Sequence, residues 1–302
     1  MNYKLAIIIP YYKIDFFEET IQSVVAQTDK RFTLYIGNDA SPNDPKPILD
    51  KYLKPNEYEY FDYKENLGGQ NLALQWQRIL ENVTEEWFQI LGDDDCIQPI
   101  FVETFYQTLP HVEKEKISLI KCGLHWIDEN AQILETHVYP FGTISATDLF
   151  QKKYNNEIRS SLSENIYKTK IVKEVKFTKI PLAWGTDDLS LLDFSKNNLI
   201  QYIPKHLVDV RISSESISGS DLHHAKKEAA IQQLREIIVL QHSNKLPYKF
   251  INKTLQDYLR ASYYKSYPIN RNVILYYAKK LKFKEFLKGI KTLYYIHKKH
   301  QL

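Results

Sequence analysis

The chain has 302 residues, 43% hydrophobic and 25% charged, a balance that fits a soluble globular protein and excludes disordered and fibrous classes. Its two cysteines, Cys96 and Cys122, exclude a disulfide framework or a cysteine metal site and point to a reducing, cytoplasmic setting. The net charge of +3 hides an asymmetry: residues 222–302 carry 17 Lys and Arg against 4 Asp and Glu, which leaves residues 1–221 acidic.

Short apolar runs alternate with segments of helical period through the first hundred residues, the pattern of βαβ units. Leu5–Ile9 reads as a buried strand, Phe16–Ala26 as a helix, Phe32–Ile36 as a strand and Lys46–Leu53 as a short helix after Pro45. Tyr58–Tyr63 alternates as an edge strand would; Asn71–Leu80 is a helix, and Trp87–Leu91 is a strand running into Gly92 and an acidic cluster. From Ile117 to Tyr139 two strand-like runs flank the turn signal Asp128-Glu129-Asn130, so the sheet becomes mixed. A helix is expected from near Asp187 and a returning strand over Leu199–Val210; beyond Leu222 the pattern is helical, broken near Pro247 and Pro268. Met1–Pro10 is too short for a spanning helix or a signal sequence, and no stretch approaches 18 uninterrupted apolar residues, so any membrane contact is expected to be peripheral.

Ligands collect at the carboxyl ends of strands in such sheets. Those ends carry Pro10-Tyr11-Tyr12, Asn38-Asp39, Asn66-Leu67-Gly68-Gly69-Gln70 and Asp93-Asp94-Asp95. Three adjacent carboxylates repel one another, and a hard divalent cation is their usual partner, with a diphosphate able to complete its shell. Alone, such a triplet is more often a solvated turn; at the end of an apolar strand it reads as a site. A carboxylate at Asp39 can accept the imide N–H of a uracil ring, although standing alone Asp39-Ala40-Ser41-Pro42 reads more readily as an Asx turn opening the next helix.

Taken together these residues resemble the family 2 glycosyltransferases over about Tyr3–Ser220. The resemblance rests on the strand ending in Pro10-Tyr11-Tyr12, the helix end Ser23-Val24-Val25-Ala26-Gln27-Thr28, Asn38-Asp39-Ala40-Ser41, Asn66-Leu67-Gly68, and Leu91-Gly92-Asp93-Asp94-Asp95 with Pro99 four residues on. It implies a GT-A fold, an α/β Rossmann-like mixed sheet flanked by helices, over residues 1–221, with a basic helical extension over 222–302. It further implies an inverting, non-processive transfer of sugar from a nucleotide-diphosphate donor, a uridine one if Asp39 holds the base, to a hydroxyl of a saccharide or lipid-linked acceptor. Pro10, Tyr11, Tyr12, Asn66, Gly68 and Gln70 would line the nucleotide pocket. Asp93, Asp94 and Asp95 would contact ribose and a Mn²⁺ or Mg²⁺ ion. Gly92 stands where the family usually has an Asp, and the Asn66 loop lacks the usual nearby Arg, having Gln70 and Asn71 instead.

In Trp184-Gly185-Thr186-Asp187-Asp188 the resemblance places the catalytic base on Asp188, with Asp187 second, and Trp184 as an acceptor-stacking residue. An inverting transfer needs one carboxylate to take the acceptor proton as the hydroxyl attacks. Arg211 and Ser216-Ile217-Ser218 resemble a loop that closes over the diphosphate, for which a guanidinium is suited. No Q-x-x-R-W sequence is present, which disfavours a processive synthase. In Tyr276–Ile296, Phe283, Phe286, Leu287, Ile290, Leu293 and Tyr294 fall on one helical face among lysines. Such a helix lies on an anionic membrane, here the inner face of the plasma membrane, or packs on the catalytic domain or on a partner subunit in a homo-oligomer with its lysines in water. No nucleic-acid motif is present. The rival readings are a catalytically silent scaffold of the same fold and a sugar nucleotidyltransferase, which would need a Gly-rich, Arg-containing first loop that Pro10-Tyr11-Tyr12-Lys13 does not supply.

Overall fold

The computed structural model describes residues 3–213, 224–265, 267–280 and 282–299, and the chain divides into two compact units, Met1–Leu222 and His223–Leu302. In the first unit β1 (Leu5–Tyr11), α1 (Phe17–Val25), β2 (Phe32–Asp39), α2 (Lys46–Tyr52), β3 (Glu59–Tyr63), α3 (Leu72–Leu80) and β4 (Trp87–Ile90) follow the alternation expected from sequence. Then come β5 (Cys96–Ile97), α4 (Phe101–Lys114), β6 (Leu119–Ile127), β7 (Ile133–His137), β8 (Thr143–Ser145), α5 (Ala146–Tyr154), β9 (Asn165–Lys168), α6 (Thr169–Val175), a 3₁₀ turn at Pro181–Ala183, α7 (Thr186–Asp193) and β10 (Leu199–Arg211).

Among the described residues the strands form one ten-stranded sheet, ordered β3-β2-β1-β4-β9-β6-β10-β5, with β7 on β6 and β8 on β10. The first four strands are mutually parallel, whereas β9 enters antiparallel to both β4 and β6 and makes the sheet mixed. Strand β1 shows why its sequence is uninterruptedly apolar. Leu5, Ile7 and Ile9 face one layer, built with α1, α2 and α4; Ala6 and Ile8 face the other, built with α3, α5 and α6. A parallel strand covered on both faces has no polar side to show, and each fully buried Leu or Ile contributes about 1.5–3 kcal/mol. Edge strand β3 exposes Glu59 and Asp62, three residues apart, so the expected alternation is not kept: Tyr60 packs on one layer while Phe61 and Tyr63 pack on the other.

The turn at Asp128 joins β6 to β7 as an antiparallel hairpin, closed by Asp128 N donating to Gln132 O at 3.0 Å. The sequence did not announce β5, β8, β9 or α5. Strand β9 holds only four residues, yet it carries the sheet from β4 to β6.

The second unit contains α8 (His224–Gln241), α9 (Tyr248–Lys265), α10 (Arg271–Lys279) and α11 (Phe283–Lys299). The breaks fall near Pro247 and Pro268, and Asn270 caps α10 by accepting from Asn272 N at 2.9 Å. The single helix expected over Tyr276–Ile296 is corrected: α10 ends at Lys279 and α11 begins at Phe283. The expected apolar face of α11 also divides. Phe286 and Leu293 are half-buried, whereas Phe283, Leu287, Ile290 and Tyr294 remain 62%, 63%, 45% and 62% exposed.

Candidate active site

Parallel register brings the carboxyl ends of the first strands to one rim: Pro10 lies opposite Gly37, Tyr11 opposite Asn38, and Ile8 opposite Ile90 just before the acidic cluster. The three aspartates there have different tasks. Asp93 Oδ2 accepts the backbone N–H groups of Tyr12 and Lys13, both at 2.7 Å, so it fastens the β1 loop. Asp95 is 6% exposed; its Oδ1 accepts Arg211 N at 2.9 Å and its Oδ2 accepts the Ser163 hydroxyl. The half-buried Asp94 carboxylate accepts no hydrogen bond from another described side chain or backbone group. Burial, then the Asp94 charge, pushes the Asp93 carboxyl up to about 7 and Asp95 well above the usual range. Burial raises Asp94 too, against the pull of Lys13 and Arg211.

Asp39 closes the β2 end, 3% exposed. Its carboxylate accepts Leu67 N at 2.9 Å, Gly68 N at 2.7 Å and the Arg78 guanidinium, which also lies 3.7 Å over the Tyr63 ring. Burial raises its pKa while these donors pull it down. A Cβ on Gly68 would stand 2.6 Å from Asp39 Oδ2, so only glycine permits this approach. Arg78 supplies the guanidinium that the Asn66 loop lacks in sequence; in the last turn of α3, it carried no local signal. Asn66 is spent on its own turn, accepting from Gly69 N at 2.5 Å, and Gln70 Nε2 reaches Glu65 at 3.0 Å. The expectation that Tyr11 lines a pocket is corrected: its ring is fully buried against Phe17 and its hydroxyl donates to Asn43 O at 3.0 Å. Pro10 is half-buried and Tyr12 is 40% exposed, so these two are the residues of that triplet open to a ligand.

Across the rim, α7 starts with Thr186, Asp187 and Asp188, after a corner in which Leu182, Ala183 and Gly185 all have positive φ, at 58°, 51° and 88°. Asn71 ties this corner to the Asn66 loop: its Oδ1 caps α3 at Ala73 N, while its Nδ2 donates to Ile180 O at 2.8 Å. Trp184 is half-buried beside the acidic pair. Lys153, from the last turn of α5, places Nζ 3.0 Å from Asp188 Oδ1 and 3.6 Å from Asp187 Oδ2, and all three side chains are 18% exposed. Burial, then Asp188, pushes the Asp187 carboxyl up to about 6, against the pull of Lys153.

One segment, Ser160–Glu164, half-buried at its start and buried at Ser163 and Glu164, joins the two acidic groups. Ser163 Oγ reaches Asp95 and accepts Gly92 N at 3.2 Å. Lys121 Nζ, 2% exposed, donates to Ser160 Oγ at 2.7 Å and to fully buried Glu164 at 2.6 Å, and Ser160 O accepts from Lys153. Burial acts to raise the Glu164 pKa, but Lys121 and Ser161 outweigh it and hold the carboxyl low.

Arg211 is not the loop residue expected from sequence. It ends β10, and its guanidinium is held by Asp94 O at 3.0 Å, Asp128 O at 2.8 Å and Glu19, over the Phe16 ring. Fully covered and bonded to these three groups, it props the acidic cluster from beneath and has no reach to spare for a diphosphate. Ser216, Ile217 and Ser218 lie outside the described residues.

The family model for glycosyl transferase family 2 matches residues 6–175. The chain belongs to that family. Residues 6–175 contain the whole donor-side rim and Lys153, whereas Asp187, Asp188 and Arg211 lie beyond them. The chain is 31% identical over 131 residues to uncharacterized glycosyltransferases of Rickettsia typhi and Rickettsia conorii, 43% of this chain in each case. The matched stretch covers 39% of the first and 21% of the second. Among solved structures, S. aureus TarS 1-349 in complex with UDP-GlcNAc is similar over 97% of this chain and 89% of that one, with a TM-score of 0.60 and 17% identity. That likeness shows the GT-A fold. No described helix is long and apolar enough to cross a membrane.

Proposed function

We propose that this chain is an inverting glycosyltransferase that moves one sugar per encounter from a uridine-diphosphate sugar to a hydroxyl of a saccharide or lipid-linked acceptor. The observation that carries the reading is two sets of carboxylates, Asp93–Asp95 and Asp187–Asp188, joined through the single segment Ser160–Glu164. A uridine donor is supported by the UDP-GlcNAc complex of the fold neighbour TarS.

The chemistry of the rim fits a divalent cation of the Mn²⁺ or Mg²⁺ kind. No group of three His, Cys, Asp or Glu side chains among the described residues is arranged to close a shell of its own. Asp94 offers an uncommitted carboxylate and Asp93 one further oxygen. One or two protein carboxylates completed by diphosphate oxygens and water is the usual arrangement for Mg²⁺. When bound, such an ion neutralises charge on the departing diphosphate. The chain's own part is to hold Asp94 on a rigid strand end through Arg211 and Ser163, to fix the nucleotide loop through Asp39, and to take the acceptor proton on Asp188 while the hydroxyl attacks the anomeric carbon.

The outer stripe of α11 favours a lipid-linked acceptor. Phe283, Leu287, Ile290 and Tyr294 are flanked by exposed Lys282, Lys284, Lys288 and Lys291, a combination that suits an anionic lipid surface. Two such lysine-rich surfaces would repel one another in a homo-oligomer.

Titration calorimetry with UDP-glucose, UDP-galactose and UDP-N-acetylglucosamine, with and without Mn²⁺, tests the proposal. Metal-dependent binding followed by UDP release is expected. Absence of binding to all three would point to a scaffold subunit.

A further inference from the structure

Lys153 is the buried cation that the sequence did not mark and that the family reading leaves without a task. In the last turn of α5 the Lys152 side chain stays 40% exposed, whereas Lys153 turns inward until 18% of its side chain is exposed. Its Nζ meets Asp188 at 3.0 Å, Asp187 at 3.6 Å and the carbonyl of Ser160. We propose that Lys153 is a positioning residue for the transfer: it keeps Asp187 and Asp188 both ionised and holds Asp188 facing the acceptor, through a contact present before substrate arrives.

Two adjacent carboxylates in a poorly solvated place share a proton unless a cation stands between them. Every element packed around the pair contributes. Helix α7 supplies the two aspartates and Ser190, whose hydroxyl reaches Asp187 O at 2.6 Å. Strand β9 supplies the buried Tyr167 hydroxyl, 3.0 Å from Ser190 Oγ. Glu164 lies before β9 and is already neutralised by Lys121 of β6 at 2.6 Å. Lys121 is thereby committed, and Lys153 is the cation in contact with the α7 pair. Burial acts to lower the Lys153 pKa, but Asp188 and Asp187 outweigh it and raise the value above that of a free lysine, so the ammonium persists at any working pH. A permanent cation 3.0 Å from Asp188 favours the charged form of the pair, and its tether to Ser160 O fixes the direction of the ammonium.

The inference rests on Asp188 being the base, but its test does not need turnover. Aspartate carboxyl carbons labelled with ¹³C are titrated by NMR in the free protein, with Asp187→Asn and Asp188→Asn spectra giving the assignments. In Lys153→Met, near in length and without charge, the titration of the pair is expected to move up by about 1–3 pH units, the usual influence of a close opposite charge. Lys153→Arg should restore most of the shift, and backbone spectra of both variants report folding. If Lys153→Met unfolds, Lys153→Arg decides: a pair that titrates as in the unsubstituted protein supports the inference. A titration unchanged within about 0.3 units in folded Lys153→Met overturns it, since a purely packing lysine would leave the pair where it was. Full turnover by both Asp187→Asn and Asp188→Asn would overturn the base assignment instead.

Discussion

The two acidic groups of the rim solve the same electrostatic problem in opposite ways. Asp187 and Asp188 have a cation built into the fold, Lys153, within 3.0–3.6 Å. Asp93, Asp94 and Asp95 have backbone N–H groups, a serine hydroxyl, the flank of a committed arginine and the pull of Lys13 on Asp93 and Asp94. A resident lysine suits a group that must work in every cycle with its charge already in place. On the proposed reading the first cluster is completed by an ion that arrives with the diphosphate, so that its charge is neutralised when there is a leaving group to stabilise.

Several substitutions would break or sharpen this contrast. The largest effect is expected for Asp188→Asn, a loss of about 10²–10⁴-fold in kcat with donor affinity retained, measured by UDP release and by calorimetry on the same sample. Asp94→Asn should cost about 10²-fold or more, and additional Mn²⁺ should not rescue it, because the lost group is the uncommitted ligand. Arg211→Met should act on stability first. It leaves two part-buried carbonyls, Asp94 O and Asp128 O, without this donor, at up to about 1–3 kcal/mol each, read as a lower Tm.

A gentler probe is pH. Because Asp93 titrates at about 7 in the folded protein, the metal-free fold holds a proton that the unfolded chain has already lost, and its stability should rise as pH falls from 8 towards 6. Mn²⁺ should raise Tm more at pH 8 than at pH 6, releasing protons as it binds; equal gains at both values would remove the cation from this cluster. The smallest effect is expected from Gly68→Ala. The Cβ would push on Asp39 Oδ2 and move the nucleotide loop, raising donor KM several-fold with little change in kcat.

The parts of the fold legible in sequence were those with enough residues to show a period. Strand β1 has five buried residues in a row, Leu5–Ile9, and α3 places Ala73, Trp76, Ile79 and Leu80 inward at helical spacing. Strands β5 and β9, two and four residues long, offer too few positions to show alternation, although β9 determines which strands neighbour β6. The site divided likewise. The carboxylates were visible because acidic runs at strand ends are unusual, whereas Arg78 and Lys153 were hidden among ordinary helix-surface residues, their direction decided by tertiary packing. Tyr11 misled for the reverse reason: a residue within a strand-end motif can still turn its ring into the core.

The corner before α7 holds Leu182 and Ala183 in a left-handed backbone conformation that costs an L-residue about 1–2 kcal/mol each. A residue more tolerant there, such as Asn or Gly at Leu182, should therefore make the protein harder to melt. It would also let the tip carrying Trp184 wander. Laboratory selection for heat resistance and selection for speed ought then to choose different residues at that corner.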